Sequence, residues 1–80
     1  MPKVTLNPMQ RKAWEIERYI LGEMKLRHIT QKDLADAWGI SQPAARYLIH
    51  NAMSISYSQL LTIFNVLETS DEDRRRLTTL

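Results

Sequence analysis

Eighty residues allow one domain with a modest core and exclude a two-domain enzyme. The chain is 44% hydrophobic and 25% charged, a globular composition rather than a disordered or membrane one, and without cysteine it has neither disulfide nor thiolate zinc site. Its net charge of +2 says little by itself, but residues 1–50 hold eight Lys or Arg against five acids, while residues 51–80 hold three arginines against four acids.

Asn7-Pro8 opens a first helix, because an asparagine cap accepts backbone donors and proline in the first turn loses no hydrogen bond. The helix runs to about Leu26, with Met9, Ala13, Ile16, Ile20, Leu21 and Met24 as its apolar stripe. Gly22 weakens it by about 1 kcal/mol relative to alanine. Thr30 caps a second helix over 31–38, with Asp33 returning a capping-box contact. Gly39 ends that helix in the left-handed conformation, and Ile40 folds back onto it. Ser41 caps a third helix reaching about His50. Pro43 is tolerated in its first turn but disfavours helical geometry at Gln42, which argues for a start one residue later than the cap implies.

Asn51 is the next left-handed stop, and residues 52–56 form a connecting loop. A fourth helix over 57–68, carrying Leu60, Leu61, Ile63, Phe64, Val66 and Leu67, is the expected central core helix. Ser70 caps a last helix over 71–78, acidic first and basic in the middle, as the helix dipole favours. With no strand alternation or repeat, the expectation is one all-α domain over 1–80, a compact bundle of four to five helices.

The informative unit is T-Q-K-D-L-A-D-A-W-G-I-S-Q-P-A-A-R-Y-L-I-H, residues 30–50. Two short helices crossing around a tight turn need a small residue at their closest approach, a left-handed residue in the turn and apolar inner faces. Ala35 is the small residue, Gly39 the turn, and Leu34, Ile40, Ala45 and Leu48 the inner positions. That leaves Gln42, Pro43, Arg46, Tyr47 and His50 on an outer face able to enter a major groove. Gln42 suits adenine, Arg46 suits guanine O6 and N7, and Pro43 or Ala44 can touch a thymine methyl. Gln31, at the head of the second helix, can hold a phosphate together with the backbone amides there. Tyr47 is open to either DNA contact or packing.

Through I-T-Q-K-D-L-A, W-G-I-S-Q-P-A and I-S-Y-S-Q-L-L-T-I-F-N-V-L-E-T-S, about half of the chain, Ile29 to Ser70, resembles without a gap the XRE family of phage Cro and repressor domains. The resemblance implies a lambda-repressor-like helix-turn-helix domain that binds a double-stranded DNA operator as a homodimer. It places positions matching Gln31, Gln42, Pro43, Arg46 and His50 toward DNA, with backbone contacts near Ser54, Ser56 and Tyr57. The chain departs from the family pattern in having Ile49 where an acid is common, Asn51 where glycine is usual, and Ala45 where Val or Ile is more frequent. Its first helix matches poorly and lacks the family's frequent arginine near Met24.

The resulting expectation is a sequence-specific transcriptional regulator, with residues 42–50 in the major groove and Gln31, Lys32 and the loop after the third helix fixing register on the phosphates. The rivals are an antitoxin that binds a protein toxin and autoregulates its operon, and a protein-interaction helical domain without DNA binding. Leu77 and Leu80 are the candidate dimer interface. His28 and His50 lack ligand spacing for zinc, nothing arranges Ser, His and Asp as a triad, and no cofactor or enzymatic activity is expected. Arg74 to Arg76 read as a solvated face, and Trp14 and Trp38 as core-edge aromatics or dimer surface. The first residues lack a secretory signal, and no stretch reaches the roughly 20 apolar residues of a bilayer span, so a cytoplasmic protein without a membrane partner, nucleoid-associated when bound, is expected.

Overall fold

A computed structural model describes residues 7–79 and forms them into five helices: α1 Pro8–Arg27, α2 Gln31–Trp38, α3 Gln42–His50, α4 Tyr57–Val66 and α5 Asp71–Thr78. A 3₁₀ turn, Ala52–Ser54, occupies part of the segment expected to be loop, and there is no strand among the described residues. No helix among these residues is long and apolar enough to cross a membrane.

Side chains set every helix start. Asn7 accepts from the Gln10 amide (2.8 Å) while the Gln10 side chain accepts from the Asn7 amide (3.1 Å), with Pro8 in the first turn. Thr30 with Asp33 and Ser56 with Gln59 repeat this reciprocal arrangement, and Ser41 and Ser70 cap α3 and α5.

Three helix ends share one device. His28 (φ 57°), Gly39 (φ 71°) and Glu68 (φ 52°) are left-handed, and the amide of the following residue reaches back five positions. Those bonds are Ile29 to Met24 (2.8 Å), Ile40 to Ala35 (3.0 Å) and Thr69 to Phe64 (2.9 Å). α1 therefore runs one residue past the expected Leu26, and α4 stops at Val66, short of Glu68. Asn51 is not a left-handed stop: its φ is −133°, and α3 ends where the Asn51 side-chain amide donates to the Tyr47 carbonyl (2.8 Å).

The core joins Ile16, Ile20 and Met24 of α1 to Leu34, Ile49, Ile63, Phe64, Leu67 and Leu77. Three members of the expected α1 stripe fall outside it: half-buried Ala13, Met9 at 57% exposure in the first turn and Leu21 at 39% on the far side of the helix. Within α3 the fully buried pair is Ala45 and Ile49, four residues apart on one face, whereas Leu48 and Ile40 are only half-buried.

α5 lies against α1. The Arg76 guanidinium donates to Glu15 (2.6 Å), Lys12 donates to the Arg76 carbonyl (2.8 Å), and the Tyr19 hydroxyl donates to Thr69 Oγ1 (2.8 Å). This docking corrects two expectations. Leu77 is 1% exposed in the chain's own core, so it is not free to form a dimer interface. Leu80 lies outside the described residues. The arginine run is a solvated face only in part: Arg74 donates to the Thr69 carbonyl (3.0 Å) and to Asn65 Oδ1 (3.2 Å) and lies over the Phe64 ring, Arg76 is exposed but paired, and Arg75 is exposed and unpaired among the described residues.

Candidate nucleic-acid interface

The α2–α3 unit is built from its caps inward. Thr30 and Asp33 exchange bonds of 2.9 and 3.1 Å, and the Thr30 amide holds the Asp33 carboxyl below the usual carboxylate range. Leu34 and Ala35 then turn inward, and the chain reverses through Gly39, Ile40 and Ser41. A Cβ at Gly39 would meet no atom within 4 Å, so glycine is there for its positive φ and not for space. The Ser41 hydroxyl accepts from the Ala44 amide (3.2 Å), and α3 begins at Gln42, with no delay from Pro43.

With Ala45 and Ile49 inward, the outward stripe of α3 is Pro43, Arg46, Tyr47 and His50, flanked in the first turn by exposed Gln42 and Ala44. Tyr47 is 59% exposed, which settles its side chain on the surface. Arg46 makes no hydrogen bond or ion pair among the described residues, unlike Arg27, Arg74 and Arg76. At the head of α2, Gln31 is half-buried and Lys32 exposed.

The remaining predicted residues divide between two places. His50 leans toward α1, its Nδ1 lying 3.5 Å from Glu17, and it shares with Ser54 a groove of about 340 Å³ walled by Trp14 and Met53. Ser56 is committed as the cap of α4, accepting from the Gln59 amide (3.2 Å), with its oxygen 3.2 Å from the Ser58 hydroxyl. Tyr57 follows it, exposed. Trp38 supports this end of α4: its indole N–H donates to the Gln59 carbonyl (3.0 Å), tying the end of α2 to the first turn of α4.

Glu17, Asn51 and Trp38 thus brace α3 and the start of α4, although nothing in the pattern of the sequence marked the first for this role. Glu17 lies on another helix, and only the packing of α1 against α3 brings it to His50. No family model matches the chain, and no curated protein or solved structure is significantly similar to it.

Proposed function

We propose that this protein is a sequence-specific double-stranded DNA-binding regulator, its α2–α3 unit a helix-turn-helix of the lambda-repressor-like, XRE type. One observation carries the reading: α3 is capped, anchored by Ala45 and Ile49, and offers Gln42, Pro43, Arg46 and Tyr47 outward with the Arg46 guanidinium unspent. A recognition helix needs this division, since side chains committed to intramolecular bonds cannot read base edges.

In this reading α3 lies in the major groove. Arg46 pairs with guanine, Gln42 with adenine, and Pro43 or Ala44 packs on a thymine methyl. Lys32 and the amides at the head of α2, with Gln31, hold a phosphate, and the amides of the first turn of α4 from Tyr57 onward hold another. His50 is a weaker phosphate contact, because Glu17 stands 3.5 Å from it. Two copies bind a two-fold operator through a surface that excludes Leu77, and occlusion of polymerase suffices for repression in the cytoplasm.

The test is selection of duplexes from a randomised pool, followed by fluorescence anisotropy on the selected and a scrambled site at two salt concentrations, for the wild type and Arg46→Ala. Preference for the selected site that Arg46→Ala erodes, with residual salt-dependent binding, supports the reading. Equally weak binding to all duplexes overturns it and moves the function to the antitoxin or protein-interaction class.

A further inference from the structure

α1 has 20 residues and is about 30 Å long. Ile16, Ile20 and Met24 face the core, and on the opposite side Arg11, Trp14, Arg18, Leu21 and Lys25 are all exposed. These five recur in strict alternation of three and four residues, the spacing that keeps one seam turned toward one partner along a helix. A cation stands at every seventh position, about 10.5 Å apart, with an apolar side chain between each pair. The apolar members are large and open, Trp14 at 52% and Leu21 at 39% exposure.

No seam position is acidic, and the acids of α1, of which Glu15 and Glu17 flank the seam at Trp14, each stand beside a base: Glu15 with Lys12 and Arg76, Glu23 with Arg27, and Glu17 beside His50. The seam itself carries three cations and no carboxylate. The Arg18 guanidinium lies over the Trp14 ring, 4.6 Å from its centroid, which orders both side chains on an otherwise open surface.

From this charge and spacing we infer that the outer face of α1 is a docking surface for an acidic amphipathic helix of a protein partner. Covering three cations without opposing carboxylates is costly, so the occupant brings acids. The three-four alternation selects a helix, with carboxylates opposite Arg11, Arg18 and Lys25 and apolar residues over Trp14 and Leu21. A phosphate backbone fits less well, because it offers charge about every 1.7 Å and nothing for the apolar members. A lipid surface fits less well too, because an interfacial helix concentrates apolar residues where this seam places its cations. α3 approaches α1 through Glu17, and Trp14 is the one seam residue that lines the groove beside His50, so the other four seam positions carry the inference without the DNA reading.

The probe is a fluorescein-labelled three-heptad peptide with Glu at each a position and Leu at each d position, titrated with the full chain and followed by anisotropy. We expect saturable binding to the wild type, loss of affinity by about tenfold or more in Arg18→Glu/Lys25→Glu, and recovery when that variant meets a peptide with Lys at each a position. Both substitutions are on the exposed side of a helix and introduce a good helix former, and circular dichroism confirms that the variant is folded. No binding by the Glu peptide, equal binding by a scrambled peptide of the same composition, or undiminished binding by the double variant overturns the inference. So does binding only to phosphatidylglycerol vesicles or to duplex DNA, which assigns the face to a lipid or a nucleic acid.

Discussion

Arg46 and Leu77 lie at opposite ends of what a single residue discloses. Arg46 sits on the outward face of α3 with no partner among the described residues, so its removal leaves the fold almost untouched. We expect Arg46→Ala to change the thermal midpoint negligibly while costing about 1 to 3 kcal/mol of discrimination at one base pair, measured by anisotropy on single-substituted sites. Leu77 behaves in the reverse way. α5 has one leucine among charged and hydroxyl residues, and a lone apolar residue defines no stripe from which its direction could be read. Its direction follows from the packing of α5 on α1, where Leu77 joins the core and the ion pair of Arg76 with Glu15 and the bond of Lys12 to the Arg76 carbonyl flank it. Leu77→Ala should therefore lower unfolding free energy by about 2 to 5 kcal/mol in urea titrations. A change in self-association with unchanged stability would restore Leu77 to an interface.

Four of the five helices were legible from a side-chain cap that a short pattern reveals, at Asn7-Pro8, Thr30, Ser41 and Ser70, whereas α4 was legible from its apolar run and its Ser56 cap was not. Their ends were read at Gly39, His50 and Thr78, although Asn51 is not the left-handed stop expected after His50. His28 and Glu68 adopt the left-handed geometry of Gly39 with side chains that do not advertise it, so the ends of α1 and α4 were misplaced by one or two residues. The energetics of these ends can be separated. His28→Gly should raise stability by up to about 1 kcal/mol by relieving the left-handed strain, and Gly39→Ala should lower it by about the same amount. Denaturant midpoints of the two variants should move in opposite directions. The Asp33 cap and the Glu15 ion pair within α1 also carry a pH dependence. Asp33 is held low by the Thr30 amide and Glu15 is held low, first by Lys12, so each has a folded-state pKa below its unfolded value. The stability they add is fully present above the ordinary carboxylate range and is lost as pH falls through the depressed folded values. Asp33→Asn and Glu15→Gln should each flatten the acid limb of the unfolding midpoint against pH, with no change in slope near neutrality.

Across the whole molecule, the sequence carried the all-α class but not the closure of the bundle, because the contacts that close it join residues far apart in the chain. Glu15 and Arg76 are 61 positions apart, Tyr19 and Thr69 are 50 apart, and no local periodicity encodes either pair. That closure determines where the excess positive charge of residues 1–50 ends up. Arg11, Arg18 and Lys25 line the outer side of α1, whereas Lys32 and Arg46 belong to the α2–α3 unit. If DNA lies against α3, only the second group releases counterions, so the two groups have different salt signatures. Lys32→Ala should weaken binding to all duplexes alike and reduce the slope of log affinity against log salt by about 1. Replacing Arg11, Arg18 and Lys25 together by glutamine should leave that slope unchanged while abolishing capture of the acidic helix. Equal losses of slope in the two variants would mean that DNA wraps both faces, and then the outer side of α1 is a backbone contact and not a second docking surface.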